Sequence, residues 1–351
     1  MSDSQRKIAV DAMGSDLGPS EVVAGVRLAL DKFNTLDGIL LVGDADILQP
    51  ILKEQGLASD PRLEVLHASQ VIGMDEKPIR SLKEKKDSSL VRTVESVKSG
   101  KSAAAVSCGN TGSLMACSTL KLRPLAGVGK PALATVWPTA DKRFILIDGG
   151  ANPQCKPENL VHNAVLGSIY AQDAIGIEHP RIGLLSIGTE EGKGNDLVND
   201  AHTQLSKLDG IIHYKGLVEG FDLFSGVVDV VVTDGFTGNV VLKSCEGLWK
   251  MMKGMMREEF TRTPTRKVGA VLLKGAMSDL KSRLDPDMFG GAPLLGLGGN
   301  VLKAHGSSNR DAVSHAIRIA GVTIEKNITE HAQRLVAQAN ERIKEPPQGN
   351  D

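Results

Sequence analysis

Val228–Ser244 reads VDVVVTDGFTGNVVLKS. It opens as a run of β-branched residues, passes through Asp234, Gly235, Thr237, Gly238 and Asn239, and ends in a second apolar segment. Apolar runs without alternation suit strands buried on both faces, so the small polar residues fall where a strand ends and a helix begins. Four more segments repeat the pattern: IAVDAMGSDLGP (8–19), AAVSCGNTGSLM (104–115), FILIDGGANPQ (144–154) and IGLLSIGTEEGKGND (182–196). In parallel α/β sheets, ligands bind at the carboxyl ends of strands. Small residues there let backbone N–H groups approach a phosphate or an oxyanion, while Asn, Asp and Thr supply hydrogen bonds and helix caps. The five segments together predict an α/β protein with a mainly parallel sheet and a ligand floor along its strand ends.

Working outward, strands are expected at Ile8–Val10, Ile39–Val42, Leu63–Leu66, Ala103–Val106, Phe144–Ile147, Ile182–Ile187 and Val228–Thr233. Helical patterns near Ser20–Lys32, Ala45–Gln55 and Leu90–Lys98 alternate with them, as βαβ units require. The polar stretch IGMDEKPIRSLKEKKDSS (72–89) reads as a surface crossing, with Asp87, Ser88 and Ser89 as caps for the helix that follows. Beyond Leu242 the texture turns helical, Met-rich and basic. Gly, Leu and Pro then dominate FGGAPLLGLGGNVLKAHGSSNRDAV (289–313), before one final helix from Arg310 to Lys344. Residues 1–345 are expected to form one unit, of one or two lobes, that includes a helical projection over 246–285; 346–351 reads as a frayed tail.

The chain has 351 residues, 41% of them hydrophobic, enough for a substantial core. With 41 Lys and Arg against 42 Asp and Glu, no overall field favours nucleic acid, and aromatics at 3% supply few stacking platforms for single strands. Cys108, Cys117, Cys155 and Cys245 are widely spaced, which argues against a zinc site and for core thiols in a reducing compartment. No stretch approaches the roughly 18 apolar residues of a membrane span, and MSDSQRK does not resemble a secretion signal. A cytoplasmic protein is expected.

In order and spacing, IAVDAMGSDLGP, KKDSSL (85–90), SCGNTGSLM (107–115), GTEEGKGND (188–196), VVTDGFTGNVVLK (231–243) and GGAPLLGLGGNVLKAHGSSN (290–309) resemble the bacterial phosphate acyltransferases of phospholipid synthesis, the PlsX family. The likeness runs from about Lys7 to about Ile328. It implies acyl transfer from acyl-acyl carrier protein to inorganic phosphate, giving an acyl phosphate without a cofactor. It also implies a homodimer and a three-layer α/β/α fold similar to isocitrate and isopropylmalate dehydrogenases and to phosphotransacetylases. Gly149 departs from the apolar residue of the family pattern.

Such chemistry needs positioning and charge stabilisation, because a thiol of ordinary pKa, near ~8.5, is already a competent leaving group. One oxyanion donor is worth roughly 100- to 1,000-fold in other enzymes. Lys193, set between Gly192 and Gly194, is the first choice for contact with phosphate or the transition state; its plain alternative is an exposed loop lysine. Asn239 pairs with it as an uncharged oxyanion donor, against a role as cap or left-handed turn residue. Substrate-binding candidates are Asp11, Gly14 and Asp16; Gly109, Asn110 and Gly112 as an anion nest; Asp148 and Asn152; Thr189; Asp234, Thr237 and Gly238; and His305. Capping or turn formation is the competing role of the polar ones, as it is for Asn195 and Asp196. Cys108 reads as an inert buried thiol rather than an acyl-enzyme nucleophile. Lys85, Lys86 and Asp87 read as phosphate contacts or as a solvated charge run. The histidines lack metal-ligand spacing, so no metal is proposed.

Val268, Leu272, Ala276 and Leu280 recur every four residues, as on one face of a helix or helical hairpin. Arg262, Arg266, Lys267, Lys274, Lys281 and Arg283 border that face. It reads either as a surface packed on a dimer partner or as a peripheral membrane contact, from which an amphiphilic acyl phosphate passes to a membrane glycerol-3-phosphate acyltransferase. Its basic rim also suits the acidic carrier protein. Two rival functions are a nicotinamide-dependent dehydrogenase of related fold, whose carboxylate cluster and arginine-rich motif are not recognisable here, and a non-enzymatic scaffold for carrier and membrane.

Overall fold

The computed structural model describes residues 6–33, 36–139, 141–284 and 291–344. The expected tail, 346–351, lies outside them. Among the described residues, one sheet of eleven strands is built from two parallel sets joined by an antiparallel seam. The first set is β1 (Ile8–Asp11), β2 (Ile39–Gly43), β3 (Leu63–His67) and β4 (Ala104–Ser107), ordered β3-β2-β1-β4. Its connections carry α1 (Pro19–Lys32), α2 (Ala45–Glu54), α3 (Pro78–Glu84) and α4 (Ser89–Lys98). From β4, α5 (Thr111–Leu122) leads to β5 (Ala132–Pro138). The second set, ordered β6-β9-β7-β8, is β6 (Arg143–Ile147), β7 (Arg181–Ser186), β8 (His213–Glu219) and β9 (Val230–Val232), with α6 (Pro157–Tyr170) and α7 (Asp196–Leu205) in its crossovers.

Unbroken apolar runs arise because both faces of these strands are covered. Ile8 and Val10 join the large core under α1 and α6, while Ala9 faces the other side with Leu40 and Val42. Ile145 and Ile147 likewise face the large core, and Phe144 and Leu146 a second one against Trp137.

The stretch rich in Gly, Leu and Pro, for which no strand was expected, folds in its described part as a hairpin of β10 (Ala292–Leu295) and β11 (Asn300–Lys303). This hairpin closes the sheet. β11 runs parallel to β4, and β10 runs antiparallel to β5, which is itself antiparallel to β6. The single final helix is also corrected. It is two helices, α11 (Arg310–Glu325) and α12 (Ile328–Lys344), divided at Asn327, whose φ of 50° takes the backbone out of the helix. That break lets α11 pack on α1 and α12 on α6. The stretch 72–89 is more than a surface crossing, since it contains α3.

After β9, α8 (Gly235–Thr261) leaves the sheet, with Gly235 and Gly238 its buried residues. It continues into α9 (Pro264–Leu272) and α10 (Lys274–Leu284). Of the two forms expected for the four-residue stripe, a helix or a helical hairpin, the single helix is excluded: Val268 and Leu272 lie on α9, Ala276 and Leu280 on α10, and all four are exposed.

Candidate active site

A cavity of about 950 Å³ lies between α5 and α8. Its floor is the seam of the sheet, with Leu133, Thr135 and Trp137 from β5, Ala292 from β10 and Lys303 from β11. Met115 and Leu120 of α5, Ile79 of α3 and Leu242 of α8 make apolar walls. Asn239, Lys243, Glu246, Lys303 and His305 bring polar groups into the same space. A site where strand direction switches is where an α/β sheet opens a crevice for ligands. The size and lining are those of a small-molecule pocket, apolar with a few placed polar groups.

The segment after β6 sets one wall. Asp148, fully buried, receives five N–H donors: Leu133 at 3.1 Å, Gly150 at 3.1 Å and Ala151 at 2.8 Å on Oδ1, and the backbone and side-chain nitrogens of Asn152 at 2.8 and 2.9 Å on Oδ2. Burial pushes its pKa up, while these donors oppose the shift. The amide of Asn152 also donates to the Pro131 carbonyl at 2.6 Å. Both residues therefore shape the loop and do not line the cavity. The first turn of α8 rests on this loop, and a Cβ at Gly238 would collide with the Asp148 carbonyl oxygen. Asp234 caps the helix, its Oδ1 accepting from the N–H groups of Phe236 and Thr237 at 2.9 Å and its Oδ2 from the Thr237 hydroxyl at 2.7 Å. Of the DGFTGN group, Asn239 is the residue delivered to the cavity, beside Gly150. Gly149 also lines it, and the Gly149 N–H donates to the Leu133 carbonyl at 2.8 Å.

The ends of β1 and β4 interlock behind the cavity. Asp11, 1% exposed, accepts from the Ser107 hydroxyl at 2.7 Å and the Met13 N–H at 3.2 Å, and burial pushes its pKa up. Gly14 packs against Gly109 and the Asp11 carboxylate; a Cβ on it would lie 2.7 Å from Asp11 Oδ2. Asn110 is the cap of α5, its Oδ1 accepting from the Ser113 N–H at 2.9 Å and its Nδ2 donating to the carbonyls of Met74 at 2.6 Å and Glu76 at 3.2 Å. The expected anion nest is thus used internally at Gly109 and Asn110, and Gly112 is its member that lines the cavity. Asp16 has an exposed side chain, and its N–H donates to the Gly306 carbonyl at 2.9 Å, next to His305. His305 Nδ1 lies 2.9 Å from the Ser307 hydroxyl.

Lys303 escaped the sequence reading. It ends the buried strand β11 at 8% exposure and donates to the carbonyl oxygens of Cys108, at 3.1 Å, and Ala304. Burial pushes it down to about 8, while Cys108, Asp11 and Asp16 pull the other way. The available signal was a lysine directly after an apolar pair, in NVLKAHG. Cys108 is inert, its thiol pushed up to about 12 by burial. Cys117 is buried too, while Cys155 and Cys245 are half-buried and pack against the edges of the core, so the reading as core thiols holds in full for Cys108 and Cys117.

Lys193 and Thr189 stand elsewhere. Both are exposed on the turn after β7, outside the cavity lining. Asn195 caps α7, its side chain accepting from the Val198 N–H at 3.0 Å. Lys85 is held by the Val71 carbonyl at 2.7 Å and by Glu76 at 2.5 Å, and Asp87 accepts from Ser69, so neither is a free phosphate contact.

A sequence profile described as fatty acid synthesis protein matches residues 6–331. The chain belongs to that family. A phosphate acyltransferase of Heliobacterium modesticaldum is 44% identical over 92% of this chain and 95% of its own length. One from Lysinibacillus sphaericus is 43% identical over 92% and 96%. A solved phosphotransacetylase of Streptococcus pyogenes shares the fold at a TM-score of 0.63 and 17% identity, covering 91% of this chain and 94% of that one.

In this member of the fatty acid synthesis protein family, the projection exposes Met251 and Met255 of α8 and Val268, Val271 and Leu272 of α9, Leu272 at 82%. Its basic border is weaker than its sequence suggests. Arg262 and Arg266 both pair with Glu259, and the side chains of Lys281 and Arg283 lie outside the described residues. Among the described residues no helix is long and apolar enough to cross a membrane.

Proposed function

We propose that this chain is a phosphate acyltransferase that moves a fatty acyl group from acyl carrier protein to inorganic phosphate, forming acyl phosphate for phospholipid synthesis. The observation that carries the reading is the cavity of about 950 Å³, apolar along α5 and β5 and polar at Asn239, Lys303 and His305. An acyl chain gains about 0.8 kcal/mol per methylene buried against such walls. A phosphate oxygen attacks the thioester carbonyl carbon, the new C–O bond forms, and negative charge collects on the carbonyl oxygen. Collapse breaks the C–S bond, whose electron pair leaves on sulfur and is protonated from solvent. Asn239 is the donor assigned to the oxyanion. Lys193, on the exposed turn after β7 with Thr189, is assigned to the charge of the transition state.

Further parts of the reading concern assembly. The chain works as a homodimer with the isocitrate and isopropylmalate dehydrogenase type of fold. It touches the membrane peripherally through Val268, Leu272, Ala276 and Leu280, and hands acyl phosphate to a membrane glycerol-3-phosphate acyltransferase. Exposed leucines and the remaining lysines of α9 and α10 support reversible attachment to an anionic surface.

The test mixes purified protein, palmitoyl-acyl carrier protein and phosphate, and follows thiol release together with acyl phosphate trapped as hydroxamate. Phosphate-dependent release with matching hydroxamate is expected. Carrier binding without either product would overturn the reading in favour of a scaffold.

A further inference from the structure

An ammonium group carries three N–H donors and no acceptor. At Lys303 two are taken by the carbonyl oxygens of Cys108 and Ala304, and the side chain forms no ion pair among the described residues. Retaining a cation at 8% exposure without a carboxylate partner is costly, and a methionine would fill the end of β11 without that cost. Lys303 nevertheless lines the cavity together with Asn239 and His305. A cation on a cavity floor with no direct ion pair among the described residues and one donor left over is a receptor for an anion, even with Asp11 and Asp16 acting on it from a distance.

We propose that Lys303 binds the attacking phosphate, its third N–H donating to a phosphate oxygen inside the cavity; this rests on the phosphate acyltransferase reading. The ammonium keeps its proton throughout, holding the nucleophile while the C–O bond forms and the C–S bond breaks. β11 makes the placement possible, because its parallel pairing with β4 sets Lys303 opposite Ser107. The titratable groups that face it are Cys108 beyond β4, Asp11 at the end of β1, Asp16 in the following loop and Lys243 on α8, with His305 two residues further on. Burial holds the ammonium near 8, so it is charged at neutral pH and discharges as pH rises above that.

Steady-state kinetics with palmitoyl-acyl carrier protein and varied inorganic phosphate, run on both sides of pH 8, test the assignment. Lys303→Met should lower kcat/KM for phosphate about 100-fold, the loss expected for one charge-assisted hydrogen bond. KM for the acyl carrier protein should stay unchanged. In the parent, KM for phosphate should climb as pH passes through about 8, and in Lys303→Met this climb should vanish. A variant within about threefold of the parent, or a parent whose phosphate KM is flat across that range, would overturn the proposal. If the variant does not fold, a flat parent profile still overturns the proposal. Calorimetric titration with phosphate alone separates the two readings. Phosphate binding that depends on Lys303, in a protein making no acyl phosphate, sinks acyl transfer and leaves the site standing. Turnover indifferent to Lys303 sinks the site alone.

Discussion

Lys193 and Lys303 both stand at strand ends of one sheet, yet their surroundings are opposite. Lys193 follows β7 on an exposed turn between two glycines with φ of 83° and 107°, while Lys303 closes β11 with its ammonium against two carbonyl oxygens. The first is conspicuous in sequence because a glycine-flanked cation after an apolar run has a local explanation. The second acquires meaning from its neighbours, since a lysine in a four-residue strand shows neither its burial nor its cavity. A cation in water is free to move and cheap to keep. A cation on a cavity floor is preorganised, at a cost to stability.

Charge reversal should break this comparison most sharply. Lys303→Glu would place a carboxylate against carbonyl oxygens and should destabilise the fold by about 3 kcal/mol or more. Lys193→Glu should change it by no more than about 0.5 kcal/mol; urea unfolding of both variants measures the gap, and equal losses would erase the distinction. Next in size, Asn239→Ala should lower turnover about 100-fold with little change in melting temperature, and Lys193→Ala by at least about tenfold. Activity near that of the parent for both would remove them from the chemistry. Asp234→Ala loses a cap and should cost about 1 kcal/mol, with turnover per folded molecule retained; a large drop in turnover at unchanged stability would move Asp234 into the site. Smallest of all, Leu272→Glu combined with Leu280→Glu should reduce sedimentation with anionic liposomes while soluble activity stays within about twofold. Unchanged sedimentation would count against the membrane assignment.

Strands β1, β2, β4, β6, β7 and β9 were legible because burial on both faces demands unbroken apolar runs, and β3 was legible at Leu63–Leu66 although it is half-buried. β8 was not, since the first half of HYKGLVE is exposed or half-buried. β10 and β11 were hidden by Pro293 and by the glycines around them, among which Gly296, with a φ of 85°, makes the turn. The one local sign of the break was Asn327 itself, since asparagine tolerates the left-handed conformation that ends a helix, and α11 and α12 then pack on different partners.

The amino-acid order by itself determined the class of sheet, the strand-end loops and the family pattern, because those depend on local composition and spacing. Which loop residues meet a ligand was decided by tertiary structure. Asp148, Asn152, Asp234 and Asn110 spend their hydrogen bonds on loops and caps, whereas Asn239, His305 and Lys303 converge on one cavity from α8 and from a hairpin inserted late in the chain. Convergence across such separations is a property of strand pairing, and no local pattern encodes it.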